Sequence, residues 1–308
     1  MSDKLSVIKN ILGKPHPEGQ ELLFHCPYCS HHKKKLSLNL DRDVFKCWIC
    51  NVKGRTRRII RRFGTFLQLQ KWDDLVQTPD VIRFKEVFFA EKEQEDKRSL
   101  SLPEGFETLV TSWPNMNHPA HQYLMSRGLT QQDINRWKIG YVDSGFWGGR
   151  IIVPSFDDSG ELNYFVGRSY ENHQRKYMAP KIDKNVIFNE LYVEWDEDVI
   201  LVEGVFDAFK AYNAVPILGS TMSENSRLLK KIVENDSPIF VALDWDAEKK
   251  ARRLMRLLME YGVELYKINT RSIEDVGAIT KEQFLELKKT ASLINPDTYI
   301  LYEMKNFI

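Results

Sequence analysis

The stretch VILVEGVFDAFKAY, Val199 to Tyr212, decides the fold. Val199 to Val202 is an unbroken apolar run with the length of a fully buried strand. It leads straight into Glu203-Gly204, and Asp207 follows three residues later. A carboxylate at the end of a buried strand is costly unless something pairs with it. A helical run, DAFKAY, is expected to open at Asp207.

The same grammar repeats downstream. AVPILGS (214–220) is a second short apolar run, and PIFVAL (238–243) is a third that ends at Asp244-Trp245-Asp246. The helical pattern EKKARRLMRLLMEYG follows, then VELYKI, then SIEDVGAI with Glu274 and Asp275. This β-α-β-α-β-α-β order predicts a parallel sheet with right-handed crossovers. Functional residues of such sheets collect at the carboxyl ends of the strands. Glu203, the Asp244/Asp246 pair and Asp275 all fall at or just beyond those ends. On an extended Asp-x-Asp segment both side chains point to one face. Carboxylates converging on one crevice repel and raise each other's pKa, and a divalent cation removes the conflict. Oxygen donors alone suit Mg²⁺ or Mn²⁺. Each acid taken singly reads as a turn or helix cap. Three acidic strand ends in succession favour the metal.

Length and composition agree with a globular protein of two domains. The chain has 308 residues, of which 43% are apolar. No stretch approaches the ~18 apolar residues of a membrane span. The opening MSDKLSVIKN lacks the apolar core of a signal peptide, so a cytoplasmic location is expected. The net charge of +1 conceals an asymmetry. Residues 1–70 hold 14 Lys/Arg and 5 Asp/Glu, or +9, while the other 238 hold 30 and 38, or −8. A basic block on a near-neutral chain suggests a polyanionic partner, although a solvated basic face has the same composition.

That block also holds every cysteine. CPYC at 26–29 and CWIC at 47–50 are two Cys-x-x-Cys pairs with 17 residues between them, which is the spacing of a structural zinc site. Two thiolates two residues apart share one knuckle, and a hairpin brings two knuckles together. Leu36, Leu38 and Leu40 alternate with Ser37 and Asn39, and DRD offers the turn. A redox Cys-x-x-Cys would normally occur once, in a βαβ setting. With Cys26, Cys29, Cys47 and Cys50 all thiols, the site has no open position and is expected to be structural. Lys33, Lys34 and Lys35 flank one knuckle, and GRTRRIIRR (54–62) follows the other. Basic hairpins with exposed aromatics suit single-stranded nucleic acid. Trp48 is equally well placed to stack on a base or to pack beneath its knuckle.

The predicted organisation is α/β with a small N-terminal zinc ribbon over residues 1–70. A charged linker spans 71–101 and contains AEKEQEDKRS, Ala90 to Ser99. A core spans 102–308, divided into a basic subdomain (102–196), the parallel-sheet subdomain (197–279) and a helical tail (280–308).

VEGVFDAFKA together with ALDWDAEKKA resembles the Toprim module, with its Glu-Gly-x-x-Asp and Asp-x-Asp signatures. GRIIVPSFDDSGELNYFVGRSY (149–170) and RKYMAP (175–180) are similar to the segments that precede that module in bacterial-type DNA primases. The four-cysteine ribbon is similar to the primase zinc domain, and the compact order of parts looks most like the primases of T4-type bacteriophages. The resemblance implies synthesis of short RNA primers from NTPs on single-stranded DNA. It implies Glu203, Asp244 and Asp246 as ligands of two catalytic Mg²⁺ or Mn²⁺ ions, with Asp207 and Asp275 as further acids of the site. It implies Arg168, Lys176 and, more weakly, Arg150 as contacts to nucleotide or template. Lys33, Lys34 and Lys35 are expected to meet template, and one structural zinc is expected on the cysteines.

No Gly-x-x-x-x-Gly-Lys-Ser/Thr loop is present, so the chain carries no motor of that kind. The resemblance therefore implies a hexameric replicative helicase as partner, together with a single-strand DNA-binding protein. No membrane contact is expected, and the location would be host cytoplasm if the chain is phage-encoded. Two other readings share the motifs: a non-catalytic recombination-mediator clamp with a zinc site, and a Toprim nuclease.

Overall fold

The computed structural model describes residues 2–18, 21–41, 43–50, 52–76, 100–110, 117–171, 174–219 and 222–306. The charged stretch Ala90 to Ser99 lies outside them. The chain forms two compact units. One comprises Met1–Lys92 with the short segments Val233–Pro238 and Glu260–Glu264, and the other comprises Glu93–Ile232, Ile239–Met259 and Leu265–Ile308.

The first unit is an antiparallel meander, β1 (His16–Glu18), β2 (Glu21–Phe24), β3 (Leu36–Asn39), β4 (Val44–Cys47) and β5 (Lys53–Arg55), with neighbours in chain order. Helices α1 (Ser2–Leu12), α2 (Thr56–Phe63) and α3 (Phe66–Val76) accompany it. The expected hairpin is β3–β4, paired Leu36 to Cys47 and Leu38 to Phe45. These residues are buried with Val7, Ile8, Phe24, Ile59, Ile60 and Trp72 in one small core. Asp43 makes the hairpin turn with a φ of 55°. Aspartate tolerates this left-handed conformation better than most residues.

The second unit contains two sheets. Among the described residues of 102–196, and unlike the parallel strands that follow them, the strands build an antiparallel sheet. Its strands are β6 (Glu107–Thr108), β7 (Gly140–Val142), β8 (Arg150–Phe156), β9 (Leu162–Ser169) and β10 (Tyr177–Met178), in the order β10-β9-β8-β7-β6. Helices α4 (Pro119–Ser126) and α5 (Gln131–Arg136) lie between β6 and β7 in sequence. The short turn between β8 and β9 explains the difference. Asp157 accepts bonds from the amides of Ser159 and Glu161 and closes a hairpin, leaving no room for a crossover helix.

The second sheet holds β11 (Val199–Val202), β12 (Ala214–Pro216), β13 (Ile239–Ala242), β14 (Leu265–Lys267) and β15 (Ser292–Ile294), in the order β12-β11-β13-β14-β15. The first four are parallel, as the sequence predicts. The fifth pairs antiparallel with β14 and lies inside the segment expected to be wholly helical. The helices of this half are α6 (Val205–Ala208), α7 (Arg227–Asn235), α8 (Glu248–Glu260), α9 (Lys281–Lys289) and α10 (Pro296–Asn306). The α6 helix is a single turn that starts at Val205, two residues before the expected start at Asp207. Its residues Val205 and Phe206 join Phe209 in the core beneath the antiparallel sheet, alongside Leu124, Ile151 and Tyr164. Ile200, Val202, Phe240, Ala242, Tyr266 and Ile268 form a second core around the parallel strands.

Every side chain of β11 is buried, Leu201 completely. Leu201→Ala removes a fully enclosed side chain and is expected to cost about 3 kcal/mol, seen as a lower urea midpoint at unchanged denaturant slope.

Candidate functional site

The knuckles lie at one end of the meander because β2 ends just before Cys26 and Cys47 is the last residue of β4. The sulfurs of Cys26 and Cys50 are 3.8 Å apart, and those of Cys29 and Cys47 are 3.9 Å apart. All four sulfurs lie within 4.8 Å of one another. A tetrahedral ion with bonds of ~2.3 Å to sulfur sets its ligands ~3.8 Å apart, so the donor set fits such a metal. Burial pushes the Cys26 thiol up to about 12. Burial also acts against the Cys47 thiolate, but the amides of Cys50 and Ile49 together with the Cys50 and Cys26 side chains outweigh it and bring that thiol to about 7. The Ile49 amide donates to the Cys47 sulfur at 3.4 Å. His25, His31 and His32 stand outside the sulfur group, with the His31 ring accepting from the Lys33 amide.

In the second unit, carboxylate oxygens of Glu203, Asp244 and Asp246 also lie within 4.8 Å of one another. Strand order brings them together. Its numbering reverses at β11, which has β12 on one side and β13 on the other, and such a switch point opens a crevice beyond the strand ends. Val202 is in register with Ala242, so Glu203 and Asp244 follow within two residues of one paired position. Asp246 arrives differently from the expectation. Trp245–Ala247 is a 3₁₀ turn rather than extended chain, and this turn carries Asp246 back to the other acids. Burial raises the Asp244 pKa, the Val276 amide lowers it, and Asp275, Glu203 and Asp246 raise it further. Three acids this close, with oxygen donors only, fit a divalent cation.

Asp207 and Asp275 stand beside this group rather than in it. Asp207 is buried and accepts the Gly204 amide at 2.7 Å, which fixes the turn between Glu203 and α6. Burial drives its pKa up to about 7 despite that bond, with Asp244, Asp275 and Glu203 adding to the rise. Asp275 accepts the Gly277 amide at 2.6 Å and lies 3.6 Å from the Arg127 guanidinium. A Cβ at Gly277 would come within 2.9 Å of Asp207 Oδ1 and 3.1 Å of Asp275 Oδ1, so a larger residue there would push both carboxylates aside.

The expected basic residues differ in their surroundings. The Arg168 guanidinium lies 4.5 Å from the Tyr177 ring centre and 5.7 Å from that of Phe206, and its Nε donates to the Tyr123 hydroxyl at 3.1 Å. Lys176 is exposed. Arg150, expected to contact ligand, is instead buried and bonds the carbonyls of Gly148 and Arg175. Its position at the start of β8, under the Gly148-Gly149 turn, directs it into the fold. In the first unit Lys33 and Lys35 are exposed, and Lys34 donates to the Lys14 carbonyl. Trp48 is 58% exposed with the Lys46 ammonium 4.1 Å from its ring centre, so it does not pack beneath the knuckle.

Two groups escaped the sequence reading. Tyr123, Tyr177 and Phe206 form the aromatic seat of Arg168; Tyr177 and Phe206 lay within quoted motifs, but Tyr123 did not. Lys249, Lys250 and Arg253 line the same cleft as the three acids. Their signal was a pair of lysines in the first turn of a helix, where acids are normally favoured.

No family model matches the chain. It is 22% identical to the DNA primase of Clostridium acetobutylicum, with 86% of this chain and 53% of the relative covered. It is 21% identical to the DNA primase of Mycoplasma genitalium, over 78% of this chain and 50% of that protein. The chain spans about half the length of the curated relatives it matches. Among solved structures, it shares the fold of the zinc-binding and RNA polymerase domains of the Aquifex aeolicus primase. That match has a TM-score of 0.50 at 17% identity and covers 95% of this chain and 84% of the other. A DnaG primase catalytic domain bound to ssDNA superposes with a TM-score of 0.52 at 18% identity, over 63% of this chain and 79% of that one.

Cys47→Ser is expected to lose the thiolate-bound metal and unfold the first unit, since so small a core depends on its ion. Elemental analysis and circular dichroism of the same sample check this. Asp207 gives a pH test in the metal-free chain. Its folded pKa is about 7 against a model value of 3.8, so the folded state holds a proton that the unfolded state releases. Stability from this group is fully present below the unfolded value and is lost as pH rises through about 7. Asp207→Asn is expected to flatten the fall in melting temperature between pH 5 and 8 and to gain roughly 1–3 kcal/mol at the alkaline end. Melts without added Mg²⁺ or Mn²⁺ measure it.

Proposed function

We propose that this chain is a DNA primase that joins ribonucleotides into short RNA primers on a single-stranded DNA template. The observation that carries the reading is the convergence of Glu203, Asp244 and Asp246 at the switch point of the parallel sheet, in a chain that also holds a four-thiolate centre. The motif order, the shared fold and the named relatives support it. On this reading the parallel half is a Toprim module. The acids hold Mg²⁺ or Mn²⁺, the cysteines hold one zinc, and the chain resembles T4-type phage primases in its order of parts.

When bound at the three acids, divalent cations would lower the pKa of the attacking 3′ hydroxyl and offset the charge of the phosphates. The chain's own residues do the rest. β11 and β13 fix Glu203 and Asp244 so that the reacting atoms meet in line. Asp207 braces the Glu203 turn, and Asp275 braces the segment whose Val276 amide binds Asp244. Arg168, whose Nε donates to the Tyr123 hydroxyl, offers its remaining donors to nucleotide phosphate or template, and the exposed Lys176 adds a second cation. In the first unit, Lys33, Lys34 and Lys35 would pair with template phosphates and Trp48 would stack on a base. A hexameric helicase and a single-strand binding protein are the expected partners in the replicating cell's cytoplasm.

Asp244→Asn and Asp246→Asn are each expected to lower primer synthesis by at least ~10²-fold on single-stranded template with NTPs and Mg²⁺. Both variants should fold and bind template as the unaltered chain does. The rival readings predict otherwise. A clamp makes no primers at all, and a nuclease degrades the template in the same assay. Normal primer yield from Asp244→Asn would remove these acids from the reaction.

A further inference from the structure

The cleft that the three acids open onto has a volume of about 490 Å³, and its other wall is cationic. Lys249, Lys250 and Arg253 form that wall, all from the first half of α8. Positions 249 and 253 are four apart and 250 and 253 three apart, so they share one helix face. Lys250 Nζ lies 3.3 Å from Glu203 Oε1, while Lys249 and Arg253 are exposed.

An ordinary surface ion pair would account for Lys250 and Glu203 alone. It does not account for where the cations sit. The first turn of a helix is its positive end, so two lysines there are electrostatically unfavourable unless anions face them. The charge count of the cleft points the same way. Three carboxylates and three cations balance in the metal-free chain. Two divalent ions would leave an excess of about four positive charges, which a nucleoside triphosphate of about −4 neutralises.

We infer that Lys250, with Lys249 and Arg253, is the phosphate-holding wall of this cleft. Lys250 holds Glu203 in the metal-free chain and turns to the β- and γ-phosphates of the incoming nucleoside triphosphate when Glu203 takes up its ion. The inference rests on the proposed reading that this site joins nucleotides. In that reaction the 3′ oxygen bonds to the α-phosphorus and its proton passes to water. The bond from the α-phosphorus to the bridging oxygen breaks, and its electron pair leaves with pyrophosphate. A cation at the position of Lys250 offsets the charge that grows on that leaving group. Lysine suits the exchange because its ammonium is a point charge on a flexible stem.

The test uses the full chain and the variants Lys250→Met and Lys250→Arg, with Asp244→Asn as a control for the metal site. Mn²⁺ binding is titrated by electron paramagnetic resonance without nucleotide, and inorganic pyrophosphate binding is then measured in the presence of Mn²⁺. Lys250→Met is expected to bind Mn²⁺ about fivefold more tightly, because a like charge and a competitor for Glu203 are gone. It is expected to bind pyrophosphate about tenfold more weakly, with Lys250→Arg retaining most of that affinity. The two changes have opposite signs, which a merely structural ion pair does not produce. If Lys250→Met leaves both affinities unchanged, or weakens both together while Lys250→Arg restores neither, the inference fails. Failure of the unaltered chain to make primers would overturn the proposed activity instead, and the two binding measurements would still decide the role of Lys250.

Discussion

The second unit depends on holding mutually repelling carboxylates still. Three acids with oxygens within 4.8 Å of each other would spread apart on a loop. Here two of them are continuations of strands whose side chains are wholly buried. Displacing Glu203 or Asp244 means dragging β11 or β13 out of register, at a cost of several buried aliphatic contacts. The repulsion is therefore stored rather than relaxed, and a cation in the cleft would relieve it. Asp207 shows the same tension in a neighbouring group, since its burial beneath the turn keeps it half protonated near neutral pH.

The first unit solves a different problem. Its core holds few large side chains, chiefly Phe24, Phe45, Ile59, Ile60 and Trp72. Two of the buried positions in that core are Cys26 and Cys47 themselves. Thiol sulfurs under such burial resist ionisation, as Cys26 shows. A metal on the four sulfurs would replace that penalty with four strong bonds, completing the core while closing the knuckles.

How much of this was legible depended on whether the signal was local. The parallel strands were readable because Val199–Val202 and Ile239–Ala242 are apolar runs that end in acids. The thiolate centre was readable because knuckle geometry lies within four residues. Strand order was not readable, and with it went the reason why Glu203 and Asp244 meet. The antiparallel sheet was not readable because long apolar strands such as Arg150–Phe156 look the same in either kind of sheet, and only the hairpin at Asp157 distinguishes them. Arg150 lay in the right motif, but its burial depends on Gly148 and Arg175 carbonyls that only the folded chain brings near. The Lys250–Glu203 contact spans 47 residues and left no periodic trace.

The in-register pairing of Val202 with Ala242 also limits how this sequence can drift. Side chains along a strand alternate in direction, so losing or gaining one residue within Val199–Val202 would send Glu203 to the opposite face of the sheet. Substitutions there can be absorbed if they stay apolar, but changes of length cannot. The β8–β9 hairpin around Asp157 is free of that restriction, because a surface turn can lengthen without shifting any ladder that leads to an acid. Among homologous chains, insertions should accumulate at such turns, while the spacing from the start of β11 to Glu203 stays constant even where few of the residues between do.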